Sequence, residues 1–261
     1  MTLTSLLDRC VVLVVGGTDG LGAGIARAAA REGAHVAVAG RRLEKAQEVA
    51  DELTASGTQA LAVRCDVSDP DSARDAVART VAHFGRVDCL VNSAGLTTRG
   101  TLLDTTPELF DAHVSTNLRG PFFTMQAAIA DMVGRGAPGT IVNIITTEEL
   151  GGGPNLVAYA ASKAGLATLT RNVAHAHRWD RIRVNGLDIG WTETAGEDTI
   201  QRRFHGAGDD WVAKAAASLP MGKLGQVDEI ADMVVFLLSD RSGVVTGSVI
   251  DWDQKIQGCH D

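Results

Sequence analysis

Short apolar segments recur along the chain and alternate with longer stretches of helical pattern. The first segment, Val11 to Val15, is long enough for a buried strand and too short to cross a membrane. The full set of such segments lies at 11–15, 36–39, 61–63, 87–91, 141–145, 182–184 and 248–250. This rhythm predicts a doubly wound α/β fold, a parallel sheet of about seven strands with helices on both faces.

The first predicted strand leads directly into a glycine-rich turn, Gly16-Gly17-Thr18-Asp19-Gly20-Leu21-Gly22. An alanine-rich helical segment follows, from Ala23 to Arg31. Backbone N–H groups of such a turn, together with the helix dipole, form a site for pyrophosphate. Glycine is needed where φ is positive or where the backbone closely approaches phosphate. An ordinary loop between strand and helix remains the alternative on this motif alone.

Tyr159 and Lys163 are four residues apart in a segment that reads as a helix, so their side chains lie on the same face. A free tyrosine has a pKa of about 10, which is too high for ready proton exchange at neutral pH. A nearby cation favours the phenolate, and we therefore expect Lys163 to lower the pKa of Tyr159. An exposed surface pair is the alternative interpretation of this spacing.

Together, the glycine motif and the Tyr159/Lys163 pair resemble the short-chain dehydrogenase/reductase family. The resemblance extends from about Cys10 to Asp253 and includes several further motifs in the family's order. They are Asp66-Val67, Asn92-Ser93-Ala94-Gly95, Asn117-Leu118-Arg119-Gly120, Arg183-Val184-Asn185, Thr194 and Val245-Thr246-Gly247-Ser248. It implies a Rossmann-type fold and reversible hydride transfer between a nicotinamide and a carbonyl or secondary alcohol.

The resemblance also implies a catalytic set of four residues. Tyr159 acts as general acid and base, and Lys163 holds the nicotinamide ribose and tunes the phenol. Asn117 positions a water that connects Lys163 to solvent. The family places a serine thirteen residues before the tyrosine, where this chain has Thr146. The threonine hydroxyl can still bind a carbonyl oxygen, whereas its methyl group narrows the pocket.

A dinucleotide site is implied as well. Its expected residues are Gly16, Thr18, Asp19, Gly20, Leu21, Gly22, Arg41, Arg42, Asp66, Val67, Asn92, Ala94, Gly95, Tyr159, Lys163, Ile189, Thr192 and Thr194. Ile189 replaces the proline of the family's Pro-Gly pair, so the loop loses a fixed φ.

The end of the second predicted strand favours NADP(H) over NAD(H). Gly40 lacks the carboxylate that would bind the adenosine ribose, and Arg41 and Arg42 offer guanidinium groups suited to a 2′-phosphate. Asp19 opposes this interpretation, because NADP-dependent relatives often have a basic residue there. The two arginines could alternatively begin a solvated helix.

The net charge of −8, without a basic block, argues against nucleic acid or anionic membrane as a partner. The N-terminus has no secretion signal, and four cysteines without metal-type spacing are expected to be reduced. These features predict one cytoplasmic domain over residues 1–261, with no metal site. By resemblance, the protein is expected to be a homotetramer or a dimer.

Two regions bear on the substrate. Residues 191–222 correspond to the family's variable substrate loop and are expected to form a lid. Glu148 and Glu149 stand where the family more often has small residues. Glu148 is predicted to accept hydrogen bonds from a polyhydroxylated or cationic substrate. The alternatives are that Thr146-x-x-Glu149 forms a helix-capping pattern, or that both carboxylates face solvent.

The sequence therefore predicts an NADP(H)-dependent oxidoreductase that acts on a small-molecule carbonyl or alcohol. The alternatives are a catalytically silent dinucleotide-binding regulator, an NAD-dependent alcohol dehydrogenase of the same fold, and a lyase or isomerase with bound nicotinamide.

Overall fold

The computed structural model describes residues 5–151 and 153–256, which form a sheet of seven parallel strands with helices on both faces. The strands are β1 (Val11–Val15), β2 (His35–Gly40), β3 (Ala60–Arg64), β4 (Cys89–Asn92), β5 (Gly139–Ile144), β6 (Ile182–Ile189) and β7 (Val249–Trp252). Their order across the sheet is β3-β2-β1-β4-β5-β6-β7. The predicted doubly wound α/β fold is confirmed.

Nine α-helices are present in the described residues. They are α1 (Gly20–Arg31), α2 (Leu43–Ala55), α3 (Pro70–Phe84), α4 (Pro107–Val114), α5 (Gly120–Gly134), α6 (Val157–His177), α7 (Ala195–His205), α8 (Trp211–Ala217) and α9 (Val227–Leu238). A π-helical turn, Ser115–Arg119, joins α4 to α5, and a 3₁₀ turn, Thr147–Leu150, follows β5. None of the described helices is both long and apolar enough to cross a bilayer.

Both faces of the sheet are buried, which explains the uninterrupted apolar runs of the sequence. Val12 and Val14 pack with α1, α2 and α9 on one face. Leu13 and Val15 pack with α3, α5 and α6 on the other. Because each successive side chain meets a hydrophobic layer, the strand shows no alternation of apolar and polar residues.

Two strands differ from their predicted bounds. β4 begins at Cys89 rather than at Val87, because the N–H of Val87 donates to the Asp131 carboxylate instead of joining the ladder. β6 continues to Ile189, well past the apolar run at 182–184, because β5 and β7 both pair with it. The polar residues Asn185 and Asp188 are thereby carried into the buried part of the sheet.

The order of strands reverses between β1 and β4, which pair directly from Val12 with Cys89 to Val15 with Asn92. The chain leaves β1 toward one side of the sheet and leaves β4 toward the other. In open α/β sheets, the crevice at this switch point is where ligands bind. The fold thus predicts a site at the carboxyl ends of β1 and β4.

Candidate active site

A cavity of about 690 Å³ lies at the carboxyl ends of β1, β4, β5 and β6. Many of the predicted site residues line it, although they come from separate parts of the chain. They are Gly16, Asp19, Leu21, Gly22, Gly95, Thr146, Glu148, Tyr159, Lys163, Ile189, Thr192 and Thr194. The fold therefore brings the glycine turn and the Tyr159/Lys163 pair to a single cavity.

Other predicted residues do not line this cavity. They are Thr18, Gly20, Arg41, Arg42, Asp66, Val67, Asn92, Ala94 and Asn117. Gly20 borders a neighbouring cavity together with Thr194 and residues of α8. Val67 is buried against Gly120, where an added Cβ would lie 2.2 Å from the Val67 side chain.

The glycine turn packs tightly against the loop after β4. Gly16 has a φ of +86°, and an added Cβ would lie 2.5 Å from the backbone nitrogen of Ala94. A Cβ on Gly22 would lie 2.0 Å from the carbonyl oxygen of Gly16. No side chain fits at either position, so the backbone at the N-terminus of α1 stays open to a ligand. Such a glycine turn is suited to the pyrophosphate of a dinucleotide.

Asn92 forms part of a buried polar network rather than the cavity wall. Its Oδ1 accepts a hydrogen bond from Thr124 at 2.7 Å, and its Nδ2 donates to Asn143 Oδ1 at 2.8 Å. Asn143 in turn donates to Thr170 Oγ1 at 2.9 Å, and Thr170 donates to the carbonyl of Leu166. These bonds join β4 and β5 to α5 and α6. The Asn92 side chain therefore positions the helix that carries Tyr159.

Tyr159 is partly buried in the cavity wall, near the end of β5. The pKa of its phenol is raised to about 12, mainly by burial and in smaller part by the Glu148 carboxylate. The Thr146 side chain stands within hydrogen-bonding reach and, like Arg99, lowers the pKa. The phenol therefore holds its proton at neutral pH in the protein alone.

Lys163 is buried, with 4% of its surface exposed, and its Nζ donates to the carbonyl oxygen of Ile144 at 2.7 Å. Burial lowers the pKa of the ammonium to about 8. The pKa of Tyr159 is thus raised rather than lowered in the protein by itself, because burial is the largest influence on it and the Lys163 ammonium is directed at Ile144. That Lys163 favours the phenolate of Tyr159 stays a prediction.

Asn117 lies in the π-helical turn between α4 and α5, a kind of irregularity that is frequent at functional sites. Its Oδ1 accepts from the N–H of Leu96 at 2.8 Å. Its Nδ2 donates to the Leu96 carbonyl and to Ser162 Oγ. A Cβ built on Gly95 would lie 3.9 Å from Asn117 Oδ1 and 3.8 Å from Lys163 Nζ. The amide oxygen and the lysine nitrogen thus face the same small space.

Glu148 lines the cavity near Tyr159, and its Oε2 accepts from the N–H of Gly153 at 2.7 Å. Thr146 caps the 3₁₀ turn by accepting from the N–H of Glu148 at 3.4 Å. The capping role that was considered for Glu149 is not formed, since that residue contributes only a backbone bond to Thr146.

The cavity is also lined by polar residues to which sequence reasoning gave no site role. They are Thr97, Arg99, Asn155, Glu197, Gln201, His205, Asp253 and Lys255. Glu197, Gln201 and His205 recur at every fourth residue of α7 and so share one helical face. Arg99 Nε donates to His205 Nε2 at 3.3 Å and connects the loop after β4 to this helix. The predicted lid therefore contributes α7 as a wall of the cavity.

Comparison with known proteins agrees with this geometry. The family model described as enoyl-(acyl carrier protein) reductase matches residues 15–254. An L-rhamnose 1-dehydrogenase (NAD(P)(+)) from Azotobacter vinelandii is 36% identical, over 93% of this chain and 94% of its own. The 3-oxoacyl-[acyl-carrier-protein] reductase FabG of Staphylococcus aureus is 33% identical, over 91% and 94%.

Solved structures are similar over nearly the whole fold. A short-chain type dehydrogenase/reductase from Mycobacterium marinum has a TM-score of 0.89 at 31% identity, covering 98% of both chains. An actinorhodin polyketide ketoreductase with NADPH has a TM-score of 0.89 at 30% identity, covering 94% of this chain and 96% of its own. The chain belongs to the short-chain dehydrogenase/reductase family. It is an oxidoreductase, and named relatives use NAD(P).

Three features at the end of β2 bear on the cofactor of this family member. A Cβ on Gly40 would lie 2.4 Å from the Thr18 side chain, so a carboxylate at position 40 would displace that threonine. Arg42 forms an exposed ion pair with Asp19, N to O 3.5 Å. Arg41 is exposed and forms no ion pair with any described residue, although its charge lowers the pKa of the Asp66 carboxyl.

Asp188, which sequence reasoning did not single out, is completely buried near the end of β6. Among the described residues, its two oxygens are the buried side-chain polar atoms without a hydrogen-bond partner. Burial raises the pKa of this carboxyl to about 7, and the nearby Glu149 and Asp251 raise it too. The only sequence signal was an acidic residue inside an otherwise strand-like segment.

The pH dependence of stability provides a test of this buried acid. Because the folded protein binds a proton on Asp188 more tightly than the unfolded chain does, the contribution of Asp188 to stability falls as pH rises from about 4 to about 7. Asp188→Asn should therefore gain stability relative to the wild type over this range, by up to about 4 kcal/mol. Urea unfolding at pH 4.5 and pH 8 measures the change, and a difference that is independent of pH contradicts it.

Proposed function

We propose that the protein interconverts a carbonyl and a secondary alcohol, that it prefers NADP(H), and that Tyr159 is the general acid and base. The observation that carries this proposal is the convergence of Tyr159, Thr146 and Lys163 on one cavity beside the glycine turn. A silent dinucleotide-binding regulator would have no need to keep a proton-donating phenol and a hydroxyl side by side.

The chain's own residues account for the proton transfer. With its pKa raised to about 12 by burial, Tyr159 stays protonated at neutral pH and is suited to donate to a carbonyl oxygen. Thr146 can donate a hydrogen bond to the same oxygen, where negative charge develops during reduction. Bound NADP(H) supplies or accepts the hydride.

The residues present also fit a dinucleotide. The glycine turn would hold the pyrophosphate, because its tight packing leaves no side chain in the way. Lys163, Ile189 and Thr192 line the same cavity as Tyr159 and would orient the reacting end, whereas Thr194 lies beside Gly20 of the glycine turn. Thr192 and Lys163 are both buried, which limits the access of water to that end.

The preference for NADP(H) is supported by charge at the end of β2. Arg41 is available to a 2′-phosphate, and the packing of Thr18 on Gly40 opposes the carboxylate that NAD-specific sites use. Arg42 forms an ion pair with Asp19, whose negative charge partly neutralises the guanidinium. This pairing favours the NAD-dependent alternative. Because Arg41 is exposed and forms no ion pair with any described residue, its guanidinium is the main support for the preference for NADP(H).

We also propose that the substrate is polyhydroxylated and that Glu148 binds it. The backbone bond from Gly153 holds one oxygen of Glu148, while the side chain lines the cavity close to Tyr159. The same lining offers the amide of Asn155, beside Glu148, and the amide of Gln201 on α7. Such a lining suits hydroxyl groups rather than an apolar chain. A relative named for L-rhamnose agrees with this substrate class.

The catalytic assignment predicts that Tyr159→Phe binds dinucleotide normally and loses roughly a hundredfold or more in turnover, since the proton donor is gone. Thr146→Ala should lose roughly 10²-fold, and Thr146→Ser should retain activity because the hydroxyl remains. Steady-state kinetics with a panel of ketones and NADPH tests both. Near-normal turnover of Tyr159→Phe would remove this residue from the mechanism.

The cofactor assignment predicts tighter binding of NADPH than of NADH. Arg41→Ala should weaken NADPH about tenfold, the scale of one charge-assisted hydrogen bond, and should leave NADH nearly unchanged. Asp19→Asn should have the opposite effect, because it frees Arg42. Fluorescence titration of both nucleotides provides the measurement. Dissociation constants that favour NADH in the wild type contradict the assignment.

The substrate assignment predicts that Glu148→Gln raises KM about tenfold for the best substrate in a panel of aldoses and polyols that includes L-rhamnose. The dissociation constant for NADPH should not change. Glu149→Gln is a matched control, since the neighbouring carboxylate does not line the cavity. An equal effect of Glu148→Gln on cyclohexanol and on the best sugar substrate would show that Glu148 does not recognise hydroxyl groups.

A further inference from the structure

Asp188 lies on the same side of the sheet as the helix that carries Lys163. Gly186, two residues earlier on β6, faces Ile145, since an added Cβ there would lie 2.4 Å from Ile145 Cδ1. Ile145 packs in turn against Leu166 of α6. Alternate residues of a strand share a face, so Asp188 also points toward α6. Its neighbour in the register of β7 is Asp251.

Asp188 and Lys163 both border the carboxyl end of β5. The lysine Nζ donates to the Ile144 carbonyl, and the N–H of the next residue, Ile145, donates to the carbonyl of Leu187, which directly precedes Asp188. The charged groups that act on Asp188 are Glu149 from the 3₁₀ turn, Asp251 from β7 and Lys163 from α6. Lys163 is the one cation of the three. In the other direction, Asp188 is the one charged group that shifts the pKa of Lys163.

A buried carboxylate without hydrogen bonds destabilises the folded protein, because it loses its hydration. A nearby opposite charge offsets part of this free energy. A buried ammonium has the same difficulty, and Lys163 has a single hydrogen bond, to a carbonyl. Asp188 and Lys163 form no direct ion pair among the described residues, but the charge of each acts on the pKa of the other.

We propose that Asp188 is a positioning residue, which keeps the Lys163 ammonium charged and directed at the cavity. This role rests on the proposed function, in which Lys163 binds the reacting end of the cofactor. Removal of the carboxylate leaves burial unopposed, so Lys163 loses its proton at a lower pH. The alkaline limit of activity is then set by a residue that does not touch the substrate.

The protonation of Lys163 can be measured directly, without any assay of activity. The chain has five lysines, so protein labelled with ¹³C at lysine Cε gives a simple spectrum, and Lys163→Arg identifies the signal of interest. Asp188→Asn should move the titration of this signal to lower pH by about one unit. Asp188→Ser removes the same charge with a smaller side chain and should give the same shift.

Asp251→Asn is the matched control. It removes an exposed carboxylate that is the register neighbour of Asp188, and it should leave the titration of Lys163 unchanged or move it slightly upward. An unshifted Lys163 signal in both Asp188→Asn and Asp188→Ser overturns the proposal, as does an equal downward shift in Asp251→Asn.

Kinetics distinguish positioning from a merely structural role. The alkaline limb of the kcat profile should move with the Lys163 titration in Asp188→Asn, whereas damage to the fold would lower kcat equally at all pH values. A fixed alkaline limb, despite a shifted lysine signal, overturns the link to turnover. If Tyr159→Phe remains active, the proposed function fails separately, because the lysine titration still reports whether Asp188 acts on Lys163.

Discussion

The geometry of the site depends on the buried polar network of Asn92, Thr124, Asn143 and Thr170. It connects the two central strands β4 and β5 to the helices that pack on them, through hydrogen bonds of 2.7–2.9 Å. Thr170 is two helical turns beyond Lys163 on the same face of α6, so the bond to Asn143 fixes the rotation of that helix. Loss of any member would leave buried partners unsatisfied, at about 1–3 kcal/mol each.

This fixed rotation determines how deeply the ionisable side chains of the site are buried. It turns Lys163 inward, toward the end of β5, where burial opposes its charge. The same burial keeps the Tyr159 phenol protonated. Desolvation thus favours the neutral form of both side chains, so it raises the pKa of Tyr159 and lowers the pKa of Lys163. Individual neighbours act against burial: Thr146 lowers the pKa of Tyr159, and Asp188 raises the pKa of Lys163.

The fold and the cavity could largely be predicted from the sequence, because they depend on local signals. Apolar runs mark strands, glycines mark the turn, and Tyr159 and Lys163 are related by helical spacing. The pKa of Tyr159 could not be predicted in this way, since burial is a property of the assembled fold. Asp188 was missed for a similar reason. Asp188 lies beyond the predicted strand at 182–184, and its burial results from pairing of β6 with strands that are distant in sequence, so the sequence carries no sign of its surroundings.

The wall of the cavity that α7 forms is held in place by different interactions from the wall at the end of the sheet. None of the residues of α7 is fully buried, and this helix is held by contacts such as Trp191 to Glu197 and Arg99 to His205. Separation of α7 from the sheet would therefore expose little apolar surface, and the free energy of local opening is far smaller than that of global unfolding. Movement of this wall would open the cavity while the sheet and α6, which carries Tyr159 and Lys163, stay in place.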